Sequence, residues 1–315
     1  MTNKTKDSII ESLGIWLKEN GFTPAEFSKK FNFSASYLSN LMNGKYSFQN
    51  GTDKETIIDD KYFRMIADAI GFNYDNKIIW EARQTPQFMQ MITYLEDAKN
   101  FGYTTIIIGE TGSGKTFSSD IFVKSNPKDL FKVTVGSMDT IGDLLDKLGE
   151  ALRIPLVGTK SRKLNAITNE LKKIKMDGRK PTLIFDESEY MKQPTLCNMK
   201  EMYDHLNGKC GLVMIGTNQL IAKIERLKNK NKDGMPQFYR RIKYNIRELR
   251  PIDTRFQQFL TSIEDKSLVR FLQRECENYG ELHDVLLPAM REAKRLGEPL
   301  TENLVRKILN LPLAA

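Results

Sequence analysis

A strand, a glycine turn and a helix follow one another between residues 104 and 124, and no other stretch limits the fold as tightly. Thr104-Thr105-Ile106-Ile107-Ile108 is an apolar, β-branched run that reads as a buried strand. Gly109-Glu110-Thr111-Gly112-Ser113-Gly114-Lys115-Thr116 follows: a Gly, four residues, then Gly-Lys-Thr. Phe117 to Lys124 reads as a helix. The order has a physical reason. A strand delivers the chain to a tight turn, and the turn's N–H groups and the helix N-terminus then converge on phosphate oxygens. In this arrangement Gly109 through Phe117 hold a nucleotide, Lys115 reaches its β- and γ-phosphates, and Thr116 binds Mg²⁺. ATP with Mg²⁺ is the expected ligand.

A second motif supports the first. Thr182-Leu183-Ile184-Phe185-Asp186-Glu187 is an apolar strand ending in two carboxylates. Asp186 is placed to hold the Mg²⁺ water shell, and Glu187 to polarise an attacking water. Phe131 to Val135, Leu212 to Ile215 and Ile242 to Leu249 read as further strands, and Ile141 to Leu152 and Ser161 to Lys175 as helices. Alternating strands and helices predict an α/β fold: a five-stranded parallel sheet, order 5-1-4-3-2, covered on both faces. The fourth strand ends Ile215-Gly216-Thr217-Asn218, and Asn218, with Thr217 second, is expected beside the γ-phosphate. Arg240 and Arg241, ahead of the fifth strand, suit a finger offered to a neighbouring subunit's nucleotide.

Three segments follow: 1–78, 79–255 and 256–315. In the first, Ile9 to Glu19 has helical periodicity, and Thr23-Pro24 starts a short helix through Phe31. Ser34 caps another over Ala35 to Met42, and Asp60 to Ile70 ends at Gly71. Two short helices with a tight turn predict an all-α helix-turn-helix domain. The second segment opens with a helix starting at Thr85-Pro86. The third reads as helical throughout, punctuated by Gly280, Gly297 and Pro299.

Net charge is +8, and its distribution matters more than its size. Residues 1–78 hold ten basic and ten acidic residues, whereas 159–180 hold eight and two, and 220–250 ten and three. Such blocks suit a polyanion, and Lys160, Arg162, Lys163, Lys223, Arg226 and Lys228 crowd them as its expected contacts. Cys197, Cys210 and Cys276, with His205 and His283, make neither a zinc pattern nor a disulfide framework. No apolar run is long enough to span a bilayer. A cytoplasmic protein with reduced thiols is expected.

Phosphate loop, Asp-Glu strand, polar-tipped fourth strand, Arg pair and C-terminal helices together resemble an AAA+ ATPase with a helical lid. With a Cro/repressor-like helix-turn-helix domain in front, the arrangement is similar to the family of phage Mu transposition protein B and TnsC-type transposition regulators. That resemblance implies ATP-dependent homo-oligomers on duplex DNA, as a ring or helical filament, that recruit a transposase and disperse on hydrolysis. A replication initiator or helicase loader of the same ATPase group is the alternative, as is an ATP-sensing helix-turn-helix transcription regulator. One departure stands out: where AAA+ lids often carry an Arg in a Gly-x-x-Arg setting, this chain has Gly280-Glu281-Leu282-His283, so the sensor is either lost or replaced by Arg291 or Arg295.

Overall fold

The computed structural model describes residues 1–50, 54–75 and 78–313. They form two compact units, Met1–Ile79 and Trp80–Ala315. No helix among the described residues is long and apolar enough to cross a membrane.

The first unit contains helices α1 (Asn3–Glu19), α2 (Pro24–Lys30), α3 (Ala35–Met42) and α4 (Asp60–Ile70). Each start is fixed by a side-chain cap. Thr23 and Glu26 make a reciprocal capping box at α2, Ser34 accepts from Tyr37 N–H at α3, and Asp59 caps α4. Helix α1 begins well before Ile9, because Thr2 caps it and its polar first turns still bury Lys6, whose ammonium pairs with Asp60 at 2.8 Å. The all-α expectation needs correcting. Strands β1 (Ser47–Asn50) and β2 (Lys54–Ile57) pair antiparallel, Ser47 opposite Ile57. Two four-residue strands are too short to carry a periodic signal. The core is aromatic-rich: Phe22, Phe27, Phe33 and Phe63 are buried with Ile9, Leu13, Leu38 and Leu41.

The second unit opens with α5 (Pro86–Phe101), capped by Thr85. Next come β3 (Thr104–Ile108), α6 (Lys115–Ser125), β4 (Leu130–Thr134), α7 (Ile141–Leu152), α8 (Lys160–Met176) and β5 (Thr182–Asp186). A single 3-10 turn (Ser188–Tyr190) leads to α9 (Gln193–Leu206), β6 (Gly211–Gly216), α10 (Asn218–Asn229), α11 (Met235–Ile242) and β7 (Ile246–Glu248). The five strands lie in the order β4-β5-β6-β3-β7, all parallel. Read from the β7 edge this is 5-1-4-3-2, as the sequence pattern predicts.

Alternate residues of each strand face opposite sides, so the sheet has two cores. Ile106, Ile108, Leu183, Phe185, Leu212 and Met214 pack with α7 to α11. Ile107, Ile184, Val213 and Ile215 pack with Met91 and Leu95 of α5 and Phe122 of α6. The fifth strand is shorter than expected. Ile242 belongs to α11, where Met235, Phe238 and Ile242 form one buried helical face; the 3.6-residue period, not an extended run, explains its apolar character.

Helices α12 (Gln257–Leu260), α13 (Lys266–Glu275), α14 (Tyr279–Leu296) and α15 (Glu302–Ile308) have a core of their own, with Phe256, Phe271, Leu282 and Val305 buried.

Candidate functional site

The site forms where β3, β5 and β6 end. After Ile108 the chain passes through the glycine turn into α6. Gly112 and Gly114 have φ of 73° and 81°, a region that glycine enters without steric cost. Gly112 carries a second constraint: a Cβ there would collide with the Asn278 side chain, and its carbonyl accepts from Gly280 N–H at 3.3 Å. Gly109 N–H donates to Gly216 O at 3.2 Å, which ties the start of the loop to the tip of β6. The first amides of α6 have no intrahelical acceptor, and with the helix dipole they make this turn an anion site.

Lys115 is half-buried, and its Nζ donates to Gly109 O at 2.9 Å and Glu110 O at 2.6 Å. Burial pushes its pKa below the usual lysine range, while the carboxylates of Glu189, Asp186 and Glu110 oppose that shift. Thr116 follows it on the exposed side of the first turn.

Asp186 ends β5 and is almost wholly buried. Its Oδ1 accepts from Glu187 N–H at 3.0 Å. Lys132, on neighbouring β4, places Nζ 2.9 Å from Asp186 Oδ2 and also donates to Ser119 Oγ at 2.8 Å and Asp120 Oδ1 at 2.6 Å. Sequence reasoning missed Lys132; a lysine inside a strand between Leu130 and Val133 was the available signal. The hydroxyl of Thr116 and the carboxylate of Asp186 are hard oxygen donors, and Asp186 Oδ2 is buried with the Lys132 ammonium as its ion-pair partner. This set fits Mg²⁺. With Lys132 beside that oxygen, Asp186 suits the ion's water shell rather than direct ligation.

Glu187 has φ 56° and is exposed. Two residues on, Glu189 folds back over β6, and its Oε2 is buried without a hydrogen bond. Thr217 precedes α10 as its N-cap, yet its Oγ1 makes no capping bond and is likewise buried and unpaired. Asn218, the first residue of α10, is exposed.

A cavity of about 440 Å³ lies against the loop, lined by Trp80, Phe88, residues 112–118, Phe259, Tyr279 and His283. Trp80 stacks on Phe259 (centroids 4.9 Å apart, planes at 13°) and meets His283 edge-on at 5.2 Å. Tyr279 OH donates to Gln87 Oε1 at 2.9 Å, and Gln87 Nε2 donates to Arg250 O and Pro251 O. Aromatic walls beside an anion site suit a nucleotide base next to its phosphates. His283 thus lines the cavity, its Nδ1 2.7 Å from Asp284 Oδ1, while Arg295 pairs with Glu292.

Other expected residues lie elsewhere. Arg241 is clamped by Asp204 of α9 through two hydrogen bonds, 2.7 and 3.1 Å, so its fork is engaged within its own chain. Arg240 is exposed. Lys223 needs correcting as a DNA contact: its Nζ turns inward to Glu189 O and Met191 O. Lys163 pairs with Asp146 at 2.6 Å, and Lys228 lies 4.5 Å from the centre of the Tyr239 ring. Lys160, Arg162 and Arg226 are open to solvent.

Residues 102–224 match the protein-family model described as AAA domain. The fold is that of an AAA+ core. The match spans the loop, the Asp186-Glu187 strand and the tip of β6. Solved structures agree on the fold. The Aeropyrum pernix ORC2 protein in its ADPNP–ADP complexes is similar with a TM-score of 0.53 at 15% identity, over 75% of this chain and 69% of that one. CDC6P from Pyrobaculum aerophilum gives 0.53 at 14% identity, over 76% and 69%. Among curated protein sequences none matches this chain.

Proposed function

We propose that the protein is an ATP-hydrolysing, DNA-associated AAA+ switch. The single observation that carries this reading is the convergence of the glycine turn and Lys115, at the end of β3, with Asp186, at the end of β5 on the other side of β6, together with the aromatic-walled cavity against the turn. The turn amides and Lys115 bind and orient the triphosphate. Thr116 and Asp186 hold Mg²⁺, which when bound neutralises charge on the phosphate oxygens. Glu187 orients the attacking water, with a polar group at the β6 tip, Thr217 or Asn218, on its other side. Arg240, open where Arg241 is clamped, is the better placed of the pair to reach a neighbouring copy's nucleotide.

For the wider role, an initiator or helicase-loader type of action leads. Architectural likeness to ORC2 and CDC6P supports it. Lys160, Arg162 and Arg226 supply sequence-independent phosphate contacts to duplex DNA. A transposition-regulator role, with a transposase as partner, is the second reading. It is favoured by the helical unit ahead of the core, whose α2 and α3 have helix-turn-helix spacing, and by that unit's ten-to-ten charge balance over residues 1–78, which suits sequence-specific origin binding poorly.

Electron microscopy of the protein on random duplex DNA, with and without a non-hydrolysable ATP analogue, separates these roles. Discrete ATP-dependent complexes support the initiator type, and extended ATP-dependent filaments the transposition type. A defined dimer on a palindrome would indicate a transcription regulator. Lys115→Ala should lose about 2 to 3 kcal/mol of nucleotide affinity, roughly 30- to 150-fold, and its ATP-dependent assembly with it. Assembly unchanged in that variant without nucleotide would overturn the switch itself.

A further inference from the structure

The turn after β5 carries a third carboxylate that the Asp-Glu motif does not include. Glu187 takes a left-handed backbone conformation, φ 56°, which a non-glycine residue adopts only under compensation. The compensation is visible. Ser188 Oγ donates to Phe185 O at 2.9 Å, and the N–H groups of Tyr190 and Met191 donate to Glu187 O and Ser188 O at 3.1 Å each. Lys223 of α10 clamps the turn from outside through the carbonyls of Glu189 and Met191. Glu187 itself is exposed, and the chain folds Glu189 back over the end of β6.

Glu189 Oε2 lies so close to Gly216 that a methyl group added there would stand 2.8 Å away. Gly216 is the residue whose carbonyl holds Gly109, the first residue of the phosphate loop. The Glu189 oxygen is buried and takes no hydrogen bond, and neither does Thr217 Oγ1 on the next residue. A folded chain rarely leaves buried acceptors unpaired unless something else binds them.

We infer that Glu189 is a further catalytic residue of the hydrolytic site, whose buried carboxylate, with Thr217, receives and orients the attacking water. This rests on the ATPase reading above. Glu189 and Glu187 take the water's hydrogen bonds, and one of them its proton, as the water oxygen bonds to the γ-phosphorus and the bridging oxygen leaves with the electron pair on ADP. The proton then passes to solvent. Glu189 keeps the water at the β6 tip, and Gly216 must remain a glycine to leave it room.

The test compares the full-length protein with Glu189→Gln, Glu187→Gln and the double variant. Glu189→Gln should lower ATP turnover roughly 100-fold. Its equilibrium affinity for a fluorescent, non-hydrolysable ATP analogue should stay within about threefold of the parent. The double variant should be little slower than the slower single one, because residues that act as a unit are not additive. A purely structural Glu189 would weaken analogue binding and turnover together. If Glu189→Gln does not fold, Glu189→Asp keeps the charge, draws the oxygen back from β6, and should show the same split. Parent-like turnover in the Glu189 variants, in a protein that hydrolyses ATP, overturns this inference alone. A parent that binds the analogue but never hydrolyses ATP overturns the ATPase reading and this inference with it.

Discussion

The two units treat their polar groups in opposite ways. In Met1–Ile79 the buried ammonium of Lys6 is matched by Asp60, and every helix is capped by a side chain or a turn. The apolar core is dominated by ring-on-ring contacts such as Phe27 with Phe31 at 4.6 Å. In Trp80–Ala315, by contrast, Glu189 and Thr217 each leave a buried oxygen without a hydrogen bond where β5 and β6 end, next to the Asp186–Lys132 ion pair. Among the described residues the first unit shows one such atom, Ser28 Oγ. An unpaired buried acceptor destabilises a fold by about 1 to 3 kcal/mol. Two at neighbouring strand tips, beside a phosphate loop, are the signature of a surface built for something other than stability.

The largest expected effect probes the first unit. Phe27 is fully buried against Trp16, with ring centroids 5.7 Å apart, and Phe31. Phe27→Ala should cost about 3 to 5 kcal/mol, read from Trp16 emission during urea unfolding of the full chain. Nucleotide affinity should not change. A parallel loss would mean that the two units share one folding equilibrium, and the contrast between them would break down.

The second effect concerns charge. Replacing Lys160, Arg162 and Arg226 together by alanine should flatten the slope of log affinity for duplex DNA against log salt by about 2 to 3 units, at roughly 0.9 per lost phosphate contact. Lys223→Ala should leave that slope alone, because its ammonium serves the turn after β5. Equal effects from both variants would sink the assignment of open and inward cations.

Much of this was legible before any coordinates, for an identifiable reason. The strands, the loop and the Ile141 to Leu152 helix follow from local signals: β-branched runs, glycines at fixed offsets, amphipathic spacing. Helix α7 keeps the range that its amphipathic pattern gives, and a Thr140–Asp143 capping box fixes its start. What stayed hidden depends on side-chain direction after a turn. Nothing in Asp186-Glu187-Ser188-Glu189 tells which glutamate faces the loop; a left-handed residue at 187 decides that, and glutamate gives no hint of it. Lys223 and Arg226 look alike in a basic helix, three residues apart. Only packing against the turn after β5 turns one inward and leaves the other in solvent.

The smallest effect separates the units by pH. Hydrogen bonds from Lys6, then from the Met1 amine, hold Asp60 down at about 2, against 3.8 for an unperturbed carboxylate. Because the folded pKa is the lower one, its contribution is complete above the unfolded value and is lost as pH falls from about 4 through about 2. Asp60 is partly open to solvent, so the loss is modest and screened by salt. Melting of the first unit, followed by Trp16, should therefore drop across that window, and Asp60→Asn should remove part of the drop while lowering stability at neutral pH. Trp80, stacked in the cavity of the second unit, offers a second emission signal in the same chain. If Asp60→Asn leaves the acid slope of the Trp16 transition unchanged, the stability of the first unit does not rest on that carboxylate, and its paired charges differ less from the unpaired oxygens of the second unit than their geometry suggests.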